Sequence, residues 1–132
     1  MNHAALMNTV LPRWLLAIAA ALLLLNAIMH TSIFAQARAA VAASNLATFF
    51  GQSLRALWLI ESVTLLMLAV VFGLLAARPE MASGAVVVLL ALVPAGTAGM
   101  LYRFIGGGFV PAHLILLATA LAFVAGLLRT VA

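Results

Sequence analysis

The stretch LWLIESVTL, residues 57–65, decides the fold. It sets Glu61, one of two acidic residues among 132, in a run otherwise apolar enough for the hydrocarbon of a bilayer. An ionisable side chain there is costly unless paired or hydrated, so it is a candidate functional group before any motif is sought. Read outward, the apolar run extends back to Ala56 and forward to Ala77, where Arg78-Pro79-Glu80 makes a polar stop. About twenty helical residues at ~1.5 Å each cover the ~30 Å hydrocarbon core, which predicts a transmembrane helix over 56–77.

The rest of the chain shares this character. Hydrophobic residues make up 68% and charged residues 6%, against roughly a quarter charged in soluble domains. The net charge of +4 reflects scarce acids, and the six cationic residues are all arginines placed singly. No run of cations could neutralise successive phosphates, so nucleic acid is excluded as a partner. The absence of cysteine removes disulfides, thiolate metal sites and thiol nucleophiles. No phosphate-binding loop, nucleophile elbow or HExxH helix is present.

Three further spans are predicted, at about 14–34, 81–102 and 111–128. The first opens on Trp14, an interfacial anchor, after a polar lead ending in Pro12 and Arg13. Arg13, the apolar run and Ala35-Gln36-Ala37 also imitate a signal peptide. The purely apolar part ends at Leu25, however, well before that cleavage point, and the segment is read as a retained span. Pro94 is expected to kink the third span near Leu90. Gly106-Gly107-Gly108 reads as a turn, with Pro111 suited to the start of the fourth span.

Residues 35–55 are too polar to cross. Their alanine-rich first half should continue the first helix beyond the lipid. Leu46, Phe49, Phe50, Leu54 and Leu57 recur at helical spacing and predict a short interfacial helix over 44–54, capped by Ser44 or Asn45. The expected fold is an all-α integral membrane protein, one domain over 1–132. It is a four-transmembrane-helix antiparallel bundle with that interfacial helix between spans one and two. Small residues at Ala95, Gly96 and Gly99, and at Ala118, Ala122 and Gly126, are expected to mark close-packed faces. Arg13, Arg78 and Arg129 fall on one side of the membrane and Arg38, Arg55 and Arg103 on the other, a tie for the positive-inside rule. Arg13 abuts the first span, which favours termini inside, in a bacterial cytoplasmic membrane.

Folding the spans up and down gathers the polar side chains at one end. Asn26 and His30 share a face of span one; Glu61 lies near the same end of span two behind Trp58. Tyr102 and Arg103 close span three there, and His113 opens span four. Glu61 and Arg103 are the expected ion pair, with Asn26, His30 and His113 hydrogen-bonding around it.

Chain length, four spans and one membrane glutamate resemble the small multidrug-resistance transporters. That family carries its glutamate in the first span and this chain in the second, so no site residue is carried over.

Three function classes follow. The leading one is a non-enzymatic accessory subunit or small-ligand-binding bundle, with Glu61–Arg103 as a clasp. The second is a proton-coupled small-molecule transporter using Glu61. The third is a haem or metal protein, or an enzyme, using His30 and His113. No paired histidine spacing exists, so no cofactor is expected. Expected partners are the lipid bilayer and further copies or subunits of a membrane complex.

Overall fold

The computed structural model describes residues 3–131. Helix α1 spans His3–Ser32, α2 Phe34–Ala42, α3 Thr48–Ala77, α4 Gly84–Phe104 and α5 Val110–Val131, with one turn of 3-10 helix at Pro79–Met81. There is no strand among the described residues. Four segments are long and apolar enough to cross a membrane: Val10–Ala42, Thr48–Ala77, Gly84–Phe104 and Val110–Thr130.

Local chemistry explains most boundaries. Thr31 Oγ1 donates to the Ala27 carbonyl and Ser32 Oγ to that of Met29, each at 2.7 Å. Such back-bonding competes with the main-chain ladder, and the helix is interrupted at Ile33 before α2 resumes it. Arg78-Pro79 ends α3, and the carbonyls exposed there are taken by arginines. Arg13 Nε donates to Ala76 O at 2.9 Å and an Arg129 terminal nitrogen to Pro79 O at 2.6 Å. Ser83 caps α4 by accepting from the Val86 N–H. Gly106, with φ of 99°, ends α4 in the left-handed conformation, its N–H donating to Leu101 O.

In packing order the helices run α3, α1, α5, α4, each on the next, while α3 and α4 barely touch. Large side chains (Phe72, Leu16, Leu23, Leu65 and Ile115) interlock with alanines at 19, 69, 91, 118, 122 and 125. At most 39% of the most apolar stretch of any span is buried, and the outward faces carry residues such as Leu89, Ile60 and Val63. That proportion suits helices solvated by hydrocarbon, where the outer surface is as apolar as the core.

Several expectations shift. The lead before Trp14 is helical from His3, with Pro12 buried inside α1. No separate helix covers 44–54: residues 44–47 form a linker and 48–54 are the opening turns of α3. Continuous helix costs less than a second pair of unsatisfied termini. The short element between the first two spans is instead α2, at the alanine-rich segment read as an extension of span one. In α4 the buried face is Val87, Ala91, Pro94 and Ala98. Gly96 and Gly99 are exposed, and a Cβ at either would meet nothing within 4 Å. The close approach lies at the other end of the α4–α5 pair, where Gly84 meets Gly126 and Thr130, and Gly126 meets Val88.

Candidate functional site

Because α3 and α4 do not close on each other, a cavity of about 310 Å³ remains between the four long helices at the end bearing the polar residues. Asn26 and His30 reach it from α1, Trp58, Glu61 and Leu65 from α3. Leu101 and Ile105 bound it at the end of α4, Phe109 and Ile115 at α5. The residues 58, 61 and 65 that share a helical face by spacing do share this wall.

Asn26 is 2% exposed and its Nδ2 donates to the Pro111 carbonyl at 3.3 Å, tying α1 to the start of α5. The break at Ile33 leaves late carbonyls of α1 without helical donors. One of these, His30 O, accepts from Trp58 Nε1 at 3.0 Å. The His30 and Trp58 rings stack with centroids 4.3 Å apart and planes 13° from parallel. His30 Nδ1 lies 2.9 Å from Ser62 Oγ, and Ser62 Oγ donates to Trp58 O at 3.1 Å. Ser62 Oγ thus links the His30 ring of α1 to the main chain of α3. Trp58→Phe, which keeps the stack and removes the indole donor, is expected to cost about 1 kcal/mol. Thermal unfolding in detergent measures it.

Glu61 sits among these groups without a cation. Its Oε1 is buried and has no hydrogen-bond partner, while the Thr97 hydroxyl of α4 lies beside the carboxyl. The expected Glu61–Arg103 pair is not formed. Arg103 is exposed, its guanidinium 5.8 Å from the centroid of the Phe104 ring. The cause is the rotation of α4: Arg103 continues the face of Gly96 and Gly99, which points outward.

Tyr102 and His113 pack edge to face, centroids 5.4 Å apart. The exposed His113 donates from Nδ1 to Phe109 O at 3.1 Å and does not line the cavity. The two histidines thus have separate neighbours. Among the described residues no three of His, Cys, Asp and Glu gather as a metal site would need, so His30, His113 and Glu61 do not assemble one.

Ser62 and Thr97 are not among the residues that the sequence singles out. Ser62 does bond its own helix, yet it also orients His30. Its place one residue after Glu61 and four after Trp58 was the available signal.

The cavity thus offers acceptors and hardly any free donor. The Asn26 amide and the Trp58 indole N–H are both spent on backbone carbonyls, while Glu61 Oε1 has no partner. No family model matches the chain, and no curated protein or solved structure is significantly similar to it.

Proposed function

We propose that this chain is an integral membrane protein that binds a small amphipathic ligand in the Glu61 cavity. The four long helices cross the bilayer alternately as an antiparallel bundle. Support comes from both ends of the α1–α3 pair, where Arg13 meets Ala76 and His30 meets Trp58. On this reading α2 and the linker 44–47 lie at the membrane surface near the cavity mouth, and the termini share the opposite side. A cytoplasmic-membrane location with termini inside goes with it.

The observation that carries the reading is Glu61, whose buried Oε1 has no hydrogen-bond partner, in a chamber with mostly apolar walls. A chamber of ~300 Å³ lies at the small end of ligand sites. Its free groups accept hydrogen bonds, so its occupant supplies donors: an apolar body ending in an amine or, more weakly, a hydroxyl. An unpaired buried carboxyl is destabilising on its own, and the ligand's cationic nitrogen offsets that. A structural role for Glu61 would instead have paired it within the chain.

Trp14 and Trp58 are the only tryptophans, so a Trp14→Phe protein reports on the cavity through Trp58 fluorescence. Phenethylamine is expected to change that emission saturably, phenethyl alcohol more weakly and phenylpropionate not at all. Glu61→Gln should weaken the amine about tenfold, the equivalent of ~1.4 kcal/mol. No saturable response, or equal affinity in the Gln variant, refutes the reading. Uptake of the amine into proteoliposomes driven by a pH gradient, and lost in Glu61→Gln, would extend binding to transport.

A further inference from the structure

The geometry points to a second binding site, beside the first: the groove between α2 and the start of α3 holds the anionic headgroup of a phospholipid between Arg38 and Arg55. The groove encloses about 280 Å³, and both arginines line it together with Phe34, Val41, Leu54 and Trp58. It exists because α2, set off from α1 by the break at Ile33, packs on α3. Gly51 is buried at that contact, and a Cβ there would come 3.3 Å from Val41.

Two guanidinium groups share this groove without an anion. The only acids of the chain are Glu61 and Glu80. Glu61 belongs to the neighbouring cavity, and Glu80 lies in the turn beyond the far end of α3. Arg55 Nε is buried with no hydrogen-bond partner. Buried donors in folded proteins find acceptors, and neither acid of the chain lines this groove to supply one.

A guanidinium fork matches the oxygens of a phosphate, and paired arginines could hold one from two sides. The other walls are apolar, which suits the glycerol and first acyl carbons of a lipid better than a hydrated free anion. Phe49, Phe50 and Leu57 flank Arg55 along α3 with most of their surface exposed. They would bury in hydrocarbon and set the arginines at headgroup level, where basic pockets recruit anionic lipids.

Trp58 lines this groove too, so the Trp14→Phe protein serves again. Detergent-solubilised protein is titrated with dioleoylphosphatidylglycerol, with dioleoylphosphatidylcholine and with inorganic phosphate. The phosphatidylglycerol response should saturate, with phosphatidylcholine at least tenfold weaker. Arg38→Gln with Arg55→Gln should weaken phosphatidylglycerol at least tenfold, whereas Glu61→Gln should leave it intact, which assigns the signal to this groove. Arg38→Lys with Arg55→Lys keeps the charges but not the forks and should fall between. It also covers the case in which the glutamine pair does not fold. Lysines binding as tightly as arginines, or equal responses to the two lipids, overturn the site. Saturation by inorganic phosphate at comparable concentration replaces the lipid headgroup with a free anion.

Discussion

Glu61→Leu is expected to stabilise the purified protein in detergent, by about 1–3 kcal/mol. The substitution removes a carboxyl whose Oε1 has no partner and puts an apolar side chain against Leu65, Leu101 and Ile115. Arg103→Ala should change stability by no more than ~0.5 kcal/mol, because its guanidinium is exposed beside Phe104. The double variant should then be additive. A clasp behaves oppositely: removing one member of a buried pair costs roughly 3–5 kcal/mol, and removing the other charge recovers much of it. Thermal or denaturant unfolding of the four proteins decides. Destabilisation by Glu61→Leu, relieved by Arg103→Ala, would mean that the two residues are paired in the folded protein.

The second large effect lies at the far end of α4 and α5. A Cβ at Gly126 would come 2.7 Å from a Val88 methyl carbon, 2.9 Å from Val88 N and 3.0 Å from Gly84 O. A Cβ at Gly84 would collide with Gly126 O and with the backbone at Thr130. Backbone cannot swing aside as a side-chain tip can, so relief requires the helices to separate. Gly126→Leu is expected to cost about 3 kcal/mol or more and Gly126→Ala about 1–3 kcal/mol. That exceeds the ~1 kcal/mol a helix gains when alanine replaces glycine. Gly96→Ala and Gly99→Ala supply the contrast. With nothing within 4 Å of the added carbon, they should be neutral or stabilising. Unfolding midpoints of the four alanine and leucine variants test this directly, and destabilisation by Gly99→Ala equal to that by Gly126→Ala would contradict the packing described.

This contrast shows what the chain's sequence could and could not tell. Four helices of spanning length follow from long uncharged runs bounded by Arg78-Pro79-Glu80 and the three glycines at 106–108, because that signal is local. The gathering of Asn26, His30, Trp58 and Glu61 was legible too. Helical spacing aligns 26 with 30 and 58 with 61, and both pairs lie near the same end of their helices. The rotation of α4 was not legible. Glycine permits a close approach but does not require one, and alanines at 91 and 98 fill the contact that Gly96 and Gly99 were expected to make. With that face outward, Arg103 points away from Glu61 and lies exposed beside Phe104. The break at Ile33 is not legible for another reason. No proline or glycine marks it, only two hydroxyls, at Thr31 and Ser32, that each bond a carbonyl in their own helix.

Trp58 lines the Glu61 cavity on one side and the Arg38–Arg55 groove on the other, with its ring stacked on His30 and its N–H anchored to a backbone carbonyl. If both proposed sites fill, a wall common to the two chambers would link them thermodynamically. An occupant that favours one setting of the indole changes the affinity of the other chamber, and the reciprocal effect is equal in size. The lipid composition of the surrounding leaflet would then tune how tightly the cavity holds its ligand, with no residue of either chamber in contact with both occupants except this one.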